Sequence, residues 1–173
     1  MTKIIFLILL ITSTVFADKK YAQDAGTALM AVISASAYGT TLYLDDYDGE
    51  IEFYKSLIGT GAVTYGLKAG VDAERPDRSD NDSFPSAHTA LSFQSATFIY
   101  KKYGINYGIP AYIGAVLVGY SRVYADKHYP SDVFAGAIIG SAFSMYFTSQ
   151  YKGVQITPLV KNNYSGLRVG YSF

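Results

Sequence analysis

The sequence predicts an all-α fold, a bundle of about five helices followed by a short C-terminal β-hairpin. Three observations point to it. Long stretches rich in Ala, Leu, Met, Gly and Tyr alternate with short breaks marked by Gly, Pro or Asp, the punctuation of a helical chain. A length of 173 residues gives room for one domain around one core. After Gly153 the pattern changes to alternation with period two, which belongs to strands.

Taken in order, the chain opens with Met1, Thr2 and Lys3, an apolar run from Ile4 to Val15, then Phe16 and Ala17 ahead of the charged Asp18, Lys19 and Lys20. This is a signal peptide in outline, with cleavage expected after Ala17. The alternative is an uncleaved first membrane helix. Either reading sends the following segment out of the cytoplasm. Five helices are expected from Tyr21 to Tyr43, Glu50 to Gly70, Ser86 to Tyr103, Tyr107 to Tyr124, and Ser131 to Lys152. The third carries His88, Thr89, Ser92, Gln94, Ser95 and Thr97 on several faces and so needs protein or water around it. The stretches Ile109 to Val118 and Val133 to Phe143 are apolar nearly all round, as in core or lipid-facing helices. In the tail, Val154, Ile156, Leu159 and Val160 precede a polar Lys161-Asn162-Asn163 turn, and Leu167, Val169, Tyr171 and Phe173 follow it. The expected organisation is a leader over 1–17, a helical domain over 18–153 and a hairpin tail over 154–173.

Composition removes several function classes. Fourteen basic residues balance fourteen acidic ones, so no global field draws the protein to nucleic acid. Without cysteine there is no thiolate nucleophile and no Cys-ligated zinc. Two histidines leave little for a metal cage, and neither a metal nor another cofactor is expected.

The chemistry concentrates in three segments. The first is Lys68, six residues, then Arg75-Pro76; the second is Pro85-Ser86-Ala87-His88; the third is Ser121-Arg122, five residues, His128, three residues, Asp132. These positions sit at the ends or beginnings of consecutive helices, so antiparallel packing would gather them at one end of a bundle. That end would hold three cations and the amides of a helix N-terminus, a combination suited to a phosphate dianion. Arg75 and Arg122 can each grip two oxygens, while Lys68 supplies a point charge. Both histidines of the chain fall inside these segments. One can attack phosphorus and the other can protonate a leaving group. Asp132 lies four residues after His128, where a carboxylate could hold the ring tautomer.

The three segments resemble the signature of the type 2 phosphatidic acid phosphatase superfamily, K-x6-RP, PSGH and SR-x5-H-x3-D. Every position matches except the glycine of PSGH, which is Ala87 here; its methyl group could narrow the pocket or shift the helix start. That superfamily includes bacterial lipid phosphatases, nonspecific acid phosphatases and vanadium haloperoxidases, and the resemblance covers about Glu50 to Lys152. It implies that His128 is the nucleophile, Asp132 its partner and His88 the general acid. Lys68, Arg75, Ser86, Arg122 and the amides of Ala87 and His88 would bind phosphate. The expected function is metal-independent hydrolysis of phosphomonoesters or pyrophosphates, of membrane lipids first, through a phosphohistidine. A soluble, broad-specificity periplasmic acid phosphatase is the alternative, and a vanadium haloperoxidase a more distant one. The expected place is the periplasm, soluble or associated with the inner membrane, with no nucleic-acid partner.

Two further features bear on the site. The acidic run Asp77, Asp80, Asp82 lacks the glycine and distal glutamate of a calcium loop and reads as a solvated loop. The segments Asp45 to Asp48 and Val71 to Phe84 are expected near or opposite the catalytic end, framing a pocket.

Overall fold

In the computed structural model, which describes residues 18–151, 154–161 and 164–171, five helices precede one two-stranded sheet. They are α1 (Lys19–Tyr43), α2 (Tyr47–Gly70), α3 (Ala87–Tyr103), α4 (Ile105–Tyr124), α5 (Pro130–Phe147), β1 (Val154–Lys161) and β2 (Tyr164–Tyr171). The expected leader falls outside the described residues. The strands pair antiparallel, with Val154 opposite Tyr171 and Lys161 opposite Tyr164, so the all-α bundle with a terminal hairpin is what the chain forms.

Local chemistry sets the helix ends. The Asp18 carboxylate accepts the Lys20 amide at 2.6 Å, and Asp46 accepts the Gly49 amide at 3.0 Å, each capping orphan donors of a first turn. The Asp46 cap starts α2 at Tyr47, ahead of the expected Glu50. Gly104, at φ 96°, ends α3 and lets α4 begin at Ile105, ahead of the expected Tyr107. α5 opens on Pro130, whose missing N–H costs nothing in a first turn. The same helix stops at Phe147 and does not reach the expected Lys152. Tertiary partners take the backbone beyond it: the Ser149 amide and hydroxyl donate to Glu52 at 3.2 and 2.6 Å, and the Tyr151 amide donates to the Lys102 carbonyl at 2.9 Å.

α3 is the central helix and packs against the other four. Its Ser92, Gln94, Ser95 and Thr97 are buried, and Gln94 and Ser95 find partners on the neighbouring helices. Gln94 donates to Ser56 Oγ at 2.7 Å, Ser95 to Ser34 Oγ at 3.0 Å, and Ser144 donates to the Gln94 carbonyl at 2.6 Å. Beside this polar seam lies an apolar cluster of Ile33, Ala37, Phe53, Phe98, Ile99 and Val118. Phe98, fully buried and edge-on to Phe53 with centroids 5.2 Å apart, contributes about 1.5–3 kcal/mol through burial.

Two close approaches place the site-bearing elements. On α5, a methyl carbon at Gly136 would sit 2.5 Å from the Ser86 carbonyl oxygen, and one at Gly140 would overlap the Ala90 carbonyl oxygen. Backbone therefore meets backbone between α3 and α5. On α1, a methyl at Gly26 would overlap Ser121 Oγ and lie 2.6 Å from Arg122 Nη2. Outward, α4 and α5 show Ile109, Ile113, Val116, Tyr120, Phe134 and Ile138 at half exposure or more. Among the described residues, no helix is long and apolar enough to cross a membrane.

Candidate active site

α2 runs toward one end of the bundle, α3 leaves from it, α4 returns to it and α5 leaves again, so Lys68, Ser86, Ala87, His88, Arg122, His128 and Asp132 come together there. Arg75 reaches the same place from the loop between α2 and α3. Its Nη1 lies 3.5 Å from His128 Nε2 and donates to the Lys127 carbonyl at 3.2 Å, while its Nη2 donates to the Asp82 carbonyl at 3.3 Å.

The acidic loop proves organised around cations. Asp80 pairs with Arg75 Nε, Asp77 pairs with Lys127 Nζ at 2.5 Å, and the Asp82 carbonyl accepts from Lys68 Nζ. It is exposed, as a solvated loop should be, and it also positions two of the predicted phosphate-binding residues. Of the two segments expected to frame a pocket, Val71 to Phe84 lies at this end. Asp45 to Asp48 lies at the other, where Asp46 Oδ2 is 3.4 Å from Lys102 Nζ.

His128 is 3% exposed, and its surroundings fix its protons. Nδ1 lies 2.7 Å from the Ser83 carbonyl oxygen. A carbonyl only accepts, so Nδ1 carries the hydrogen and Nε2 presents a lone pair toward Arg75. The Asp132 carboxylate, expected to make the ring contact, has Oδ2 at 3.8 Å from Nδ1, beyond hydrogen-bond reach. That oxygen accepts instead from Ser83 Oγ at 2.5 Å and from the Tyr129 amide at 2.9 Å. Burial first, and then the charge of Arg75, push the His128 pKa down to about 4. The ring is neutral at pH 7.

His88 lies on the first turn of α3. Its Nε2 is 3.3 Å from Thr27 Oγ1 of α1, whose own hydroxyl donates to the Gln23 carbonyl at 3.0 Å. Burial, then Arg122, Arg75 and Lys68, lower its pKa to about 4 as well. Arg122 is 2% exposed and donates to the Gln23 carbonyl and to Ser121 Oγ. The buried Ser86 precedes the helix; its amide donates to the Asp132 carbonyl at 3.0 Å and its hydroxyl accepts from Thr89 at 3.0 Å. α3 begins at Ala87 in the ordinary way, and its first-turn amides lack intrahelical acceptors. Lys68 has its pKa lowered, chiefly by burial and secondly by Arg75.

Three residues at this end had no signal in the sequence: Ser83, which bonds the His128 ring, Thr27, which touches His88, and Gln23, which holds Arg122. Among the described residues, no group of three or more His, Asp or Glu side chains is arranged to hold a metal ion. The arrangement can hold an oxyanion among three cations and helix amides, with an unprotonated imidazole nitrogen beside it.

Fold and site together define a helical bundle with three cations and both histidines of the chain at one end. The sequence model of the PAP2 superfamily matches residues 50–155, and the chain belongs to that superfamily, the one its three motifs resemble. A lipid A 1-phosphatase from Porphyromonas gingivalis is 32% identical over 123 residues, 65% of this chain and 26% of that protein. The bacitracin transport permease protein BcrC from Bacillus licheniformis is 39% identical over 74 residues, 40% of this chain and 34% of that protein. The chain thus spans about a quarter to a third of the length of these curated relatives. The crystal structure of Aquifex aeolicus LpxE is similar in fold, with a TM-score of 0.55 and 24% identity over 69% of this chain and 83% of that one.

Proposed function

We propose that the protein hydrolyses a phosphomonoester or pyrophosphate of a membrane lipid through a phosphohistidine on His128, on the periplasmic side of the inner membrane. One observation carries the reading: His128 is held with Nε2 unprotonated and 3.5 Å from an arginine nitrogen. A phosphate gripped by Arg75 would present phosphorus to that lone pair. Nε2 forms the N–P bond as the bond from phosphorus to the leaving oxygen breaks, and His88 gives that oxygen a proton. Water, deprotonated by His88, then attacks phosphorus, the N–P bond breaks, and phosphate departs. Lys68, Arg75, Arg122 and the amides of Ala87 and His88 carry the charge on the equatorial oxygens.

A bound dianion would counter the cations that depress His88, raising its pKa and making it protonated when the leaving group needs a proton. The lipid assignment draws on the relative described as a lipid A 1-phosphatase. It also draws on an apolar groove between α4 and α5, lined by Val116, Val123, Pro130, Val133 and Phe134. In this reading the first 17 residues direct export, residues 18–153 form the phosphatase domain, and the remainder is a tail.

The test is phosphate release from lipid and soluble phosphates in EDTA. His128→Ala is expected to lower kcat more than about 10³-fold, and His88→Ala about 10²–10⁴-fold. Activity that requires added metal, or that survives without His128, would overturn the assignment.

A further inference from the structure

We propose that Ser83 is the positioning residue for His128, and that Asp132 acts on the histidine through it. This rests on the reading of His128 as the nucleophile. Ser83 is fully buried and uses its two oxygens in two directions. Its carbonyl takes the His128 Nδ1 hydrogen at 2.7 Å, and its hydroxyl donates to Asp132 Oδ2 at 2.5 Å. Its amide donates to the Ala73 carbonyl at 2.9 Å. The peptide that faces the imidazole is thereby pinned on both flanks.

Asp132 is occupied elsewhere. The oxygen nearer the ring already accepts from Ser83 and from the Tyr129 amide, and the other accepts from Ser131 Oγ at 3.3 Å. The nearer oxygen stands 3.8 Å from Nδ1. Asp132 therefore holds the start of α5 and the Ser83 hydroxyl, and Ser83 holds the ring. A main-chain carbonyl can neither donate nor be protonated at working pH, so it admits a single tautomer: hydrogen on Nδ1, lone pair on Nε2. Removing the Ser83 hydroxyl leaves the carbonyl chemically intact but unlocks its direction.

The experiment combines ¹⁵N-histidine NMR of the full chain with steady-state kinetics. With two histidines in the chain, the His88→Ala spectrum assigns the His128 resonances. Wild type should show His128 protonated at Nδ1 and unprotonated at Nε2. Ser83→Ala should show a mixture of tautomers and a kcat reduced about 10–100-fold at nearly unchanged KM, and Ser83→Thr should restore both. Ser83→Cys keeps the volume with a much weaker donor and carries the same comparison if the alanine variant does not fold. A wild-type ring protonated at Nε2, or a Ser83 variant that keeps both the tautomer and kcat, overturns the proposal. Absence of phosphatase activity in every form would refute the phosphatase reading instead, and the tautomer measurement would still decide the role of Ser83.

Discussion

The two ends of the bundle bury charge in opposite ways. At the end away from the histidines, Lys102 is 2% exposed and lies 2.9 Å from Glu52 and 3.4 Å from Asp46. Tyr103 donates to Asp46 at 3.3 Å, and Ser149 completes the shell of Glu52. One cation meets two carboxylates, and the network closes on itself. At the histidine end Lys68, Arg75 and Arg122 converge, while Asp132 is engaged by Ser83 and a backbone amide. Arg75 pairs there with Asp80, whereas Lys68 and Arg122 donate to main-chain carbonyls, of Asp82 and of Gln23. Burial in the first case stabilises a joint between α2, α3 and the segment after α5. In the second it gathers cations held largely by main-chain carbonyls, whose charge an anion could neutralise.

The contrast can be broken from either side. Arg122→Ala should cost most, about 10²–10³-fold in kcat, with folding retained, because it removes a donor from the oxyanion cradle; steady-state kinetics reads it. A variant as active as wild type would mean that the convergence of cations is incidental. Lys102→Met should do the reverse. It strands the buried Asp46 and the half-buried Glu52, and chemical denaturation should show a loss of about 3 kcal/mol while kcat at permissive temperature stays near wild type. Smaller is the response to inorganic phosphate. At ten times its Kd, phosphate should stabilise the wild type by about 1.4 kcal/mol, and Arg122→Ala far less. Thermal unfolding with and without phosphate distinguishes the two.

The gentlest test is a titration. Arg75 depresses His128, so Arg75→Ala should raise that pKa from about 4 toward the ordinary histidine value. A lost neighbouring cation favours the protonated ring, and NMR should follow the midpoint upward. A midpoint that stays near 4 would assign the depression to burial and Lys68 without Arg75.

Much of this was legible in the sequence because it is written in side-chain identity. Lys68, Arg75, His88, Arg122, His128 and Asp132 have functional groups whose chemistry and spacing are visible before any fold is known. The convergence of helix ends followed from connectivity, and the tail hairpin from alternation. What stayed hidden acts through groups that every residue owns. Ser83 bonds the ring with its backbone carbonyl, as Gln23 does for Arg122, and no residue type announces that. The end of α5 was hidden for a related reason. Thr148, Ser149 and Gln150 do not by themselves stop a helix; Glu52 and the Lys102 carbonyl, distant in sequence, draw that backbone away. Asp132 was assigned to the ring from its spacing of four, which gives the proximity of 3.8 Å but cannot say that the Ser83 carbonyl takes the ring hydrogen.

The contact of α5 with α3 at Gly136 and Gly140 bears on how such a protein can vary. Where side chains separate two helices, a change of rotamer absorbs a substitution. Here carbonyl oxygens occupy the space a methyl would need, so the spacing between the start of α3 and Asp132 belongs to the main chain itself. Variation along α5 should therefore be lopsided: outward positions such as Ile138 and Tyr146 are free to drift, while two glycines one turn apart act as fixed points about which every viable sequence must turn.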